Sequence, residues 1–486
     1  MANEILIDAG LGETRVALVE GGRLVQVSID RPGLKSAVGG IWLGRVSRVV
    51  PGMQAAFVEL GLGKAGFLSA RDARVLAPSA TPESGEPPPI GTLVREGQAL
   101  AVQVTKDPVG DKGVRLTADL VLPGRYLAHT PLSPGVHLSR RLTDAAERAR
   151  LQAALADLPG AGGFILRTAA AGATPEELWA EAARLRVEWT ELTAAARFAK
   201  PPAALWRDLD PVARALRDHL TRDVARVRIN SAVGLAAAKN YLAGASPELL
   251  DRLQLHQGPE ALFDLYHVED DLRRALQRRI ALPSGGAITI DATAALTVID
   301  VDSGTFTSGQ DLETTSRRVN QEAAAEIARQ LRLRGIGGII VIDFIHLQDP
   351  AHRDELMAGL NQALAADRAP TRVLGLSEFG LVEMTRKRTG EPLAWSFSEA
   401  CERCGGEGRL PSPGAVAADL LRRARREAAL APGRPLLLLA APEVLNHLEE
   451  GGALAALAAE TGARVTPKAD PGCRRHEFEV MPEGQR

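Results

Sequence analysis

Two acidic strand ends and one cysteine pair are where this sequence offers chemistry. Val298-Ile299-Asp300-Val301-Asp302 and Val341-Ile342-Asp343-Phe344 each read as an apolar strand finishing in acid. Between them, 316–334 reads as a helix with Val319, Ala323, Ile327 and Leu331 on one face. That helix is long enough for a crossover, so the simplest topology is strand–helix–strand with the strands parallel. As neighbours, they would bring Asp300 and Asp343 out at one carboxyl edge, where α/β layers place their ligands. Two carboxylates held together repel unless a cation lies between them. Oxygen ligands suit Mg²⁺, which takes one or two carboxylates together with waters and substrate phosphate. Asp302 offers a third oxygen ligand. The bland alternative is that these acids cap strands or start turns.

Cys401-Glu402-Arg403-Cys404-Gly405-Gly406 has the spacing and trailing glycines of a zinc knuckle. Structural zinc wants four ligands, and this segment supplies two, half of a site. Cys473 and His476 are the remaining intrachain candidates. A thiol redox pair is a further alternative, although its usual strand–Cys-x-x-Cys–helix setting is missing. Arg167-Thr168 ends the apolar run Phe164-Ile165-Leu166, and guanidinium plus hydroxyl is suitable phosphate chemistry, though such a pair is common on surfaces.

The elements that must position these groups follow from pattern. The first 29 residues read as three short strands separated by glycine turns. Strand signals at 41–50, 54–60, 66–68, 99–106 and 113–117 then fit a small five-stranded barrel of the OB type, interrupted by a Pro-rich loop at 77–91. Helical signals follow: a capping box, Thr174-Pro175-Glu176-Glu177, then helices expected through 212–224, 247–253 and 270–277. From 283 onward strands and helices alternate, and 411–486 reads as a small α/β appendage.

At 486 residues the chain exceeds one core, and about three domains is the prior. With net charge −2, any surface for nucleic acid must be local. No apolar run reaches the roughly 18 residues of a membrane span, and no basic-then-apolar leader opens the sequence. Three cysteines cannot build a disulfide scaffold. A cytoplasmic protein is the expectation.

Blocks along the whole chain resemble the ribonuclease E/G family: Glu13–Glu20 (ETRVALVE), 55–68 (AAFVELGLGKAGFL), 165–169 (ILRTA), 282–300 (LPSGGAITIDATAALTVID), 322–344, 379–388 (FGLVEMTRKR) and 401–408 (CERCGGEG). The chain stops soon after the last block, as expected of the family's shorter branch without a long disordered tail. The resemblance implies a multidomain α+β protein: an RNase H-like portion at 1–38 and 214–278, an OB-fold RNA-binding barrel at 39–118 and a 5′-end sensor at 119–213. It further implies a DNase I-like α/β catalytic domain at 279–398, a zinc link at 399–414 and a small C-terminal domain at 415–486. The implied activity is a Mg²⁺-dependent endoribonuclease cutting single-stranded, A/U-rich RNA with a metal-activated water. It would leave 5′-phosphate and 3′-hydroxyl ends, in ribosomal RNA processing and message turnover.

By the same resemblance, Asp300 and Asp343 hold the Mg²⁺, with Asp302 beside them. Phe57, Phe67 and Lys112 contact RNA; apart from the resemblance, Arg141, in a basic pair, is a candidate to line its path, although such pairs are usually just solvated. Arg167 and Thr168 hold a 5′-monophosphate with Gly124 as backbone partner. Cys401 and Cys404 share one Zn²⁺ with a second chain, giving a homodimer and, by pairing of dimers, a homotetramer. A base stacked on an exposed ring contributes ~1–3 kcal/mol, but either phenylalanine could instead belong to the barrel core. The sequence departs from the family at four places. Asp302 stands where asparagine is usual and His346 where aspartate is usual. Pro370 replaces an arginine of the longer members, and Glu378 replaces a basic or neutral residue. Those departures keep a second reading open, a non-catalytic RNA-binding relative.

Overall fold

The computed structural model describes residues 2–10, 12–31, 36–77, 85–107, 113–139, 141–142, 144–156, 162–304, 312–377 and 379–484. Lys112 and Glu378 lie outside the described residues. The chain divides into two units, Met1–Ser396 and Phe397–Arg486.

Alternating apolar residues fold the first three strands, Asn3–Ala9, Thr14–Glu20 and Arg23–Asp30, into an antiparallel meander. Two strands from far along the chain complete this sheet, Val224–Ile229 parallel to Asn3–Ala9 and Leu253–Leu255 beyond it. This corrects the helix expected through 212–224. The helix Pro211–His219, capped by Asp210, ends there, and buried Val224, Val227 and Ile229 belong to a strand.

The five strands expected of the barrel form it: Ile41–Val50, Ala55–Glu59, Gly66–Ser69, Ala99–Lys106 and Arg115–Thr117. Pairing of the first with the fourth closes the ring. Its interior is so full at Gly44 that a Cβ there would come within 2.5 Å of Val58. A four-stranded sheet follows, backed by the helix Pro175–Phe198, whose Thr174–Glu177 capping box is present as read from sequence. Buried Glu181 of this helix accepts the N–H groups of Arg125, Tyr126 and Leu127, fixing the turn that contains Gly124.

The layer carrying the acids is a mixed six-stranded sheet: Arg279–Ala281, Ala287–Ala292, Leu296–Asp302, Gly338–Asp343, Leu381–Arg386 and Thr371–Leu376, in that order. Only the central pair, Leu296–Asp302 with Gly338–Asp343, is parallel, as the crossover argument requires. The helices Leu312–Leu333 and Pro350–Ala365 pack on one face, closing a core around Ile299, Val301, Ile340, Ile342, Ile327 and Leu360. The first helix also binds the N-terminal sheet. Arg332 pairs with Glu20 at 2.6 Å, Arg329 reaches the Leu24 carbonyl, and Glu326 meets Arg23.

The second unit holds a three-stranded sheet, Val465–Ala469, Leu436–Ala440 and Phe478–Pro482, with helices Pro413–Leu430, Pro442–Glu450 and Ala453–Thr461 around the core of Leu420, Leu438 and Leu448. Among the described residues no helix is long and apolar enough to cross a membrane.

Candidate functional site

Strand alternation divides the six-stranded sheet into a buried face and an open one. On Leu296–Asp302 the buried positions are Thr297, Ile299 and Val301, so Asp300 and Asp302 project from the open face. On Gly338–Asp343 they are Ile340 and Ile342, so Asp343 projects the same way. Asp300 and Asp343 are register partners, which sets their backbones about 4.8 Å apart. Both are exposed, and neither has a hydrogen-bonding or ionic partner among the described residues. The expected juxtaposition is therefore present, as two exposed carboxylates, with Arg279 acting weakly on Asp300 alone.

Asp302 lies two residues further along the same face but is already engaged. Both of its oxygens bind the guanidinium of Arg279, at 2.7 and 2.9 Å. That pairing holds the Arg279 guanidinium above its ordinary pKa, first through the hydrogen bond with Asp302, with Asp300 contributing more weakly. Arg279 comes from the edge strand and was not singled out from sequence. No group of three or more His, Cys, Asp or Glu suited to a metal occurs among the described residues. The acids thus offer a two-carboxylate site, which fits Mg²⁺ because that ion keeps several waters and uses few protein ligands.

The chain beyond Asp343 is clamped from the crossover helix. Asn320, fully buried, donates to the Ile345 carbonyl at 2.7 Å and accepts the Ile345 N–H at 3.0 Å. Two turns earlier, Glu313 accepts the N–H groups of Gln348 and Asp349 and pairs with His352 at 2.8 Å. Phe379, 87 % exposed, stands in the turn that leads to Leu381, the register partner of Asp343. A bare ring so close to the acids is an available stacking surface.

A second cluster lies around Arg167. Its guanidinium donates to the Gly124 carbonyl and to Asp218, the latter at 2.7 Å. The N–H of Gly124 is directed to Leu127. Gly124 therefore sits beside Arg167 with its carbonyl turned toward the guanidinium. The Thr168 hydroxyl meets Ser139 at 3.4 Å, and Ser139 accepts the N–H of Arg141. This places Arg141 with the Arg167 cluster rather than with the barrel, and burial pushes its guanidinium pKa down. Arg368, which sequence reading passed over, donates to the Asp218 carbonyl and approaches His219 at 2.9 Å. Burial would raise Asp218, but Arg217 and Arg167 outweigh it and hold the carboxyl well below its usual range. Burial, then Arg368 and Arg167, push His219 down to about 4, so it is neutral at pH 7. Arg141, Arg167 and Arg368 converge here, with Arg217 held by Asp208 and Asp218, the electrostatics of an anion site.

On the barrel, Phe57 and Phe67 are register partners with ring centroids 6.0 Å apart, edge to face. Their chain neighbours Ala56, Val58 and Leu68 are fully buried while both rings are half-exposed. The rings thus project outward and do not belong to the barrel core. Continuing the register across the strands, Arg48 pairs with Phe57, Arg115 with Phe67, and Lys106 with Arg115. An aromatic pair flanked by cations on one outer row is what single-stranded nucleic acid needs, since rings take bases and cations take phosphates. Arg48, Arg115 and Lys106 were legible only once the register was known.

In the second unit, the Gly405 N–H donates to the Cys401 carbonyl at 2.7 Å, and the Gly408 N–H points at the Cys404 Sγ at 3.4 Å. Gly405, Gly406 and Gly408 all have positive φ, which lets the turn fold back on the sulfurs. Hydrogen bonds from the N–H groups of Cys404 and Arg403 lower the Cys401 pKa, favouring thiolate. Both sulfurs in one N–H-lined turn fit half of a zinc site. Cys473 is not part of it: its thiol donates to the Glu477 carbonyl, and burial raises its pKa.

Known proteins resemble this chain over nearly its whole length. The sequence pattern of the "Ribonuclease E/G family" matches residues 121–389. The chain is 39 % identical over 490 aligned residues to ribonuclease G of Salmonella typhimurium, covering 99 % of this chain and 100 % of that protein. Ribonuclease G of Escherichia coli K12 gives the same figures. Ribonuclease E of Escherichia coli K12 is 37 % identical over 421 residues, 86 % of this chain and 40 % of that longer protein.

Proposed function

The chain belongs to the ribonuclease E/G family, and from that premise we propose that it is an endoribonuclease cutting single-stranded RNA at the Asp300–Asp343 pair. The observation that carries this reading is the pair itself: two register-partnered, exposed carboxylates on an open sheet face. Asp300 and Asp343 would hold Mg²⁺. When bound, that ion would acidify water and neutralise the phosphate being attacked, giving 5′-phosphate and 3′-hydroxyl ends.

The chain's own residues supply the rest. Asn320 and Glu313 fix the strand end and the segment after it, so Asp343 keeps its position as substrate arrives. The outer barrel row of Arg48, Phe57, Phe67, Arg115 and Lys106 would stack bases and hold phosphates of the incoming strand. The Arg167, Thr168 and Arg368 cluster would take the 5′-monophosphate. The Cys401–Cys404 turn would share one zinc with a second chain and so join two protomers. Ribosomal RNA precursors and messages, in the cytoplasm, are the substrates this reading implies.

A labelled single-stranded RNA incubated with and without Mg²⁺ tests the proposal. Wild type should cut only with the metal, and Asp300→Asn should bind RNA without cutting. Cutting by Asp300→Asn at the wild-type rate would overturn the assignment. The capture of Asp302 by Arg279 favours a second reading, an RNA-binding relative without turnover. Binding without cleavage by the wild-type protein, in Mg²⁺, would select it.

A further inference from the structure

The open face that displays Asp300 and Asp343 continues past them and ends in a cleft of about 450 Å³. Its lining includes Ile339, Pro370, Thr385, Arg372 and Lys387. Ile339 and Thr385 are register partners, as are Thr385 and Arg372, so one row runs across three strands on this face. Ile339, 51 % exposed, and Pro370 give the cleft an apolar floor. The side chains of Arg372 and Lys387 have no hydrogen-bonding or ionic partner among those residues. An apolar floor beside two uncompensated cations is complementary to a polyanion that also carries flat apolar faces.

Ile339 lies four residues before Asp343 on the same side of the same strand, about 13 Å away at ~3.3 Å per residue. One strand of stacked nucleic acid advances ~3.4 Å per nucleotide, so the cleft is within about four nucleotides of the acids. Between them the face is apolar along Val298 and Val341, which are half-buried. Glu383, exposed on the next strand, bounds that path on one side and repels phosphate from it.

We infer that this cleft is a second RNA subsite, in which Ile339 and Pro370 carry a base and Arg372 and Lys387 carry phosphates of the strand being cut. This rests on the nuclease reading for the identity of the ligand, but its test does not depend on cleavage. Binding of a fluorescent 12-nucleotide single-stranded RNA is measured by anisotropy, across a salt series, on full-length Asp300→Asn and on Asp300→Asn carrying Arg372→Ala and Lys387→Ala. Loss of two phosphate contacts should weaken binding about tenfold near 0.1 M salt and flatten the log–log salt slope by about 1.4, at ~0.7 per contact. Circular dichroism melting verifies that the variant folds.

Unchanged affinity and slope would overturn the subsite. Sedimentation velocity of Ile339→Arg supplies an independent arm. A smaller particle would show that a second copy of the chain covers the cleft, which also overturns the inference. An unchanged particle that binds RNA more weakly supports it. If wild type fails to cut any RNA while the two substitutions still weaken binding, the nuclease reading fails and the subsite stands.

Discussion

Replacing Asp343 with asparagine should make the metal-free protein more stable while lowering cleavage by orders of magnitude. Asp300 and Asp343 are register partners on adjacent strands, and two unit charges 4 Å apart repel by ~1 kcal/mol in a water-like dielectric. Both carboxylates are exposed, so ~0.15 M salt screens part of this. Removing one charge should then stabilise the apo protein by about 0.5–1 kcal/mol, roughly 1–3 °C in melting temperature. Mg²⁺ reverses the order. At ten times its dissociation constant the ion adds ~1.4 kcal/mol to wild type, and the asparagine variant should gain little. The metal's transition-state stabilisation is worth several kcal/mol, so cleavage should fall by two to three orders of magnitude. The assay is thermal unfolding of both proteins in EDTA and in Mg²⁺, repeated at high salt, where the apo difference should shrink. A variant that is less stable than wild type in EDTA, yet shows the full Mg²⁺ shift, would refute the shared-cation argument.

Three further outcomes are expected. Arg167→Leu removes one of the two guanidinium groups paired with the Asp218 carboxylate, and the ratio of cleavage rates on 5′-phosphorylated and 5′-hydroxyl RNA should fall at least tenfold toward unity, about 1.4 kcal/mol. His219 is neutral when folded, with its pKa pushed down to about 4. An unfolded histidine takes a proton near 6.5, so stability present above pH 6.5 should be lost as pH falls toward 4, by up to about 3 kcal/mol; His219→Gln should flatten urea-denaturation stability across that window. Cys401→Ser should remove zinc and halve the particle mass, whereas wild type should carry one zinc per two chains by metal analysis and sedimentation.

The parts legible in sequence were those with local causes. The barrel strands announced themselves by alternation between glycine turns, and Pro175 with Thr174 and Glu177 marked a helix start that the structure contains. Asp300 and Asp343 could be paired because a crossover helix leaves one simple topology. What stayed hidden depends on distant pairings. Val224–Ile229 becomes a strand by lying against Asn3–Ala9, more than two hundred residues away, and nothing in its neighbourhood announces that. Arg279 takes Asp302 from an edge strand whose register only the folded sheet defines. Arg368 belongs to the Arg167 cluster through a reach across to Asp218 and His219 that no local spacing encodes.

Asn320 shows how the working edge of the sheet is kept usable. Its carboxamide presents the same donor and acceptor that a neighbouring peptide group would have offered to Ile345. A helix side chain thereby does the work of an absent strand, and the backbone leaving Asp343 keeps its course without one. The sheet can therefore open directly onto solvent beside its two acids, leaving space there for a flexible polymer to pass.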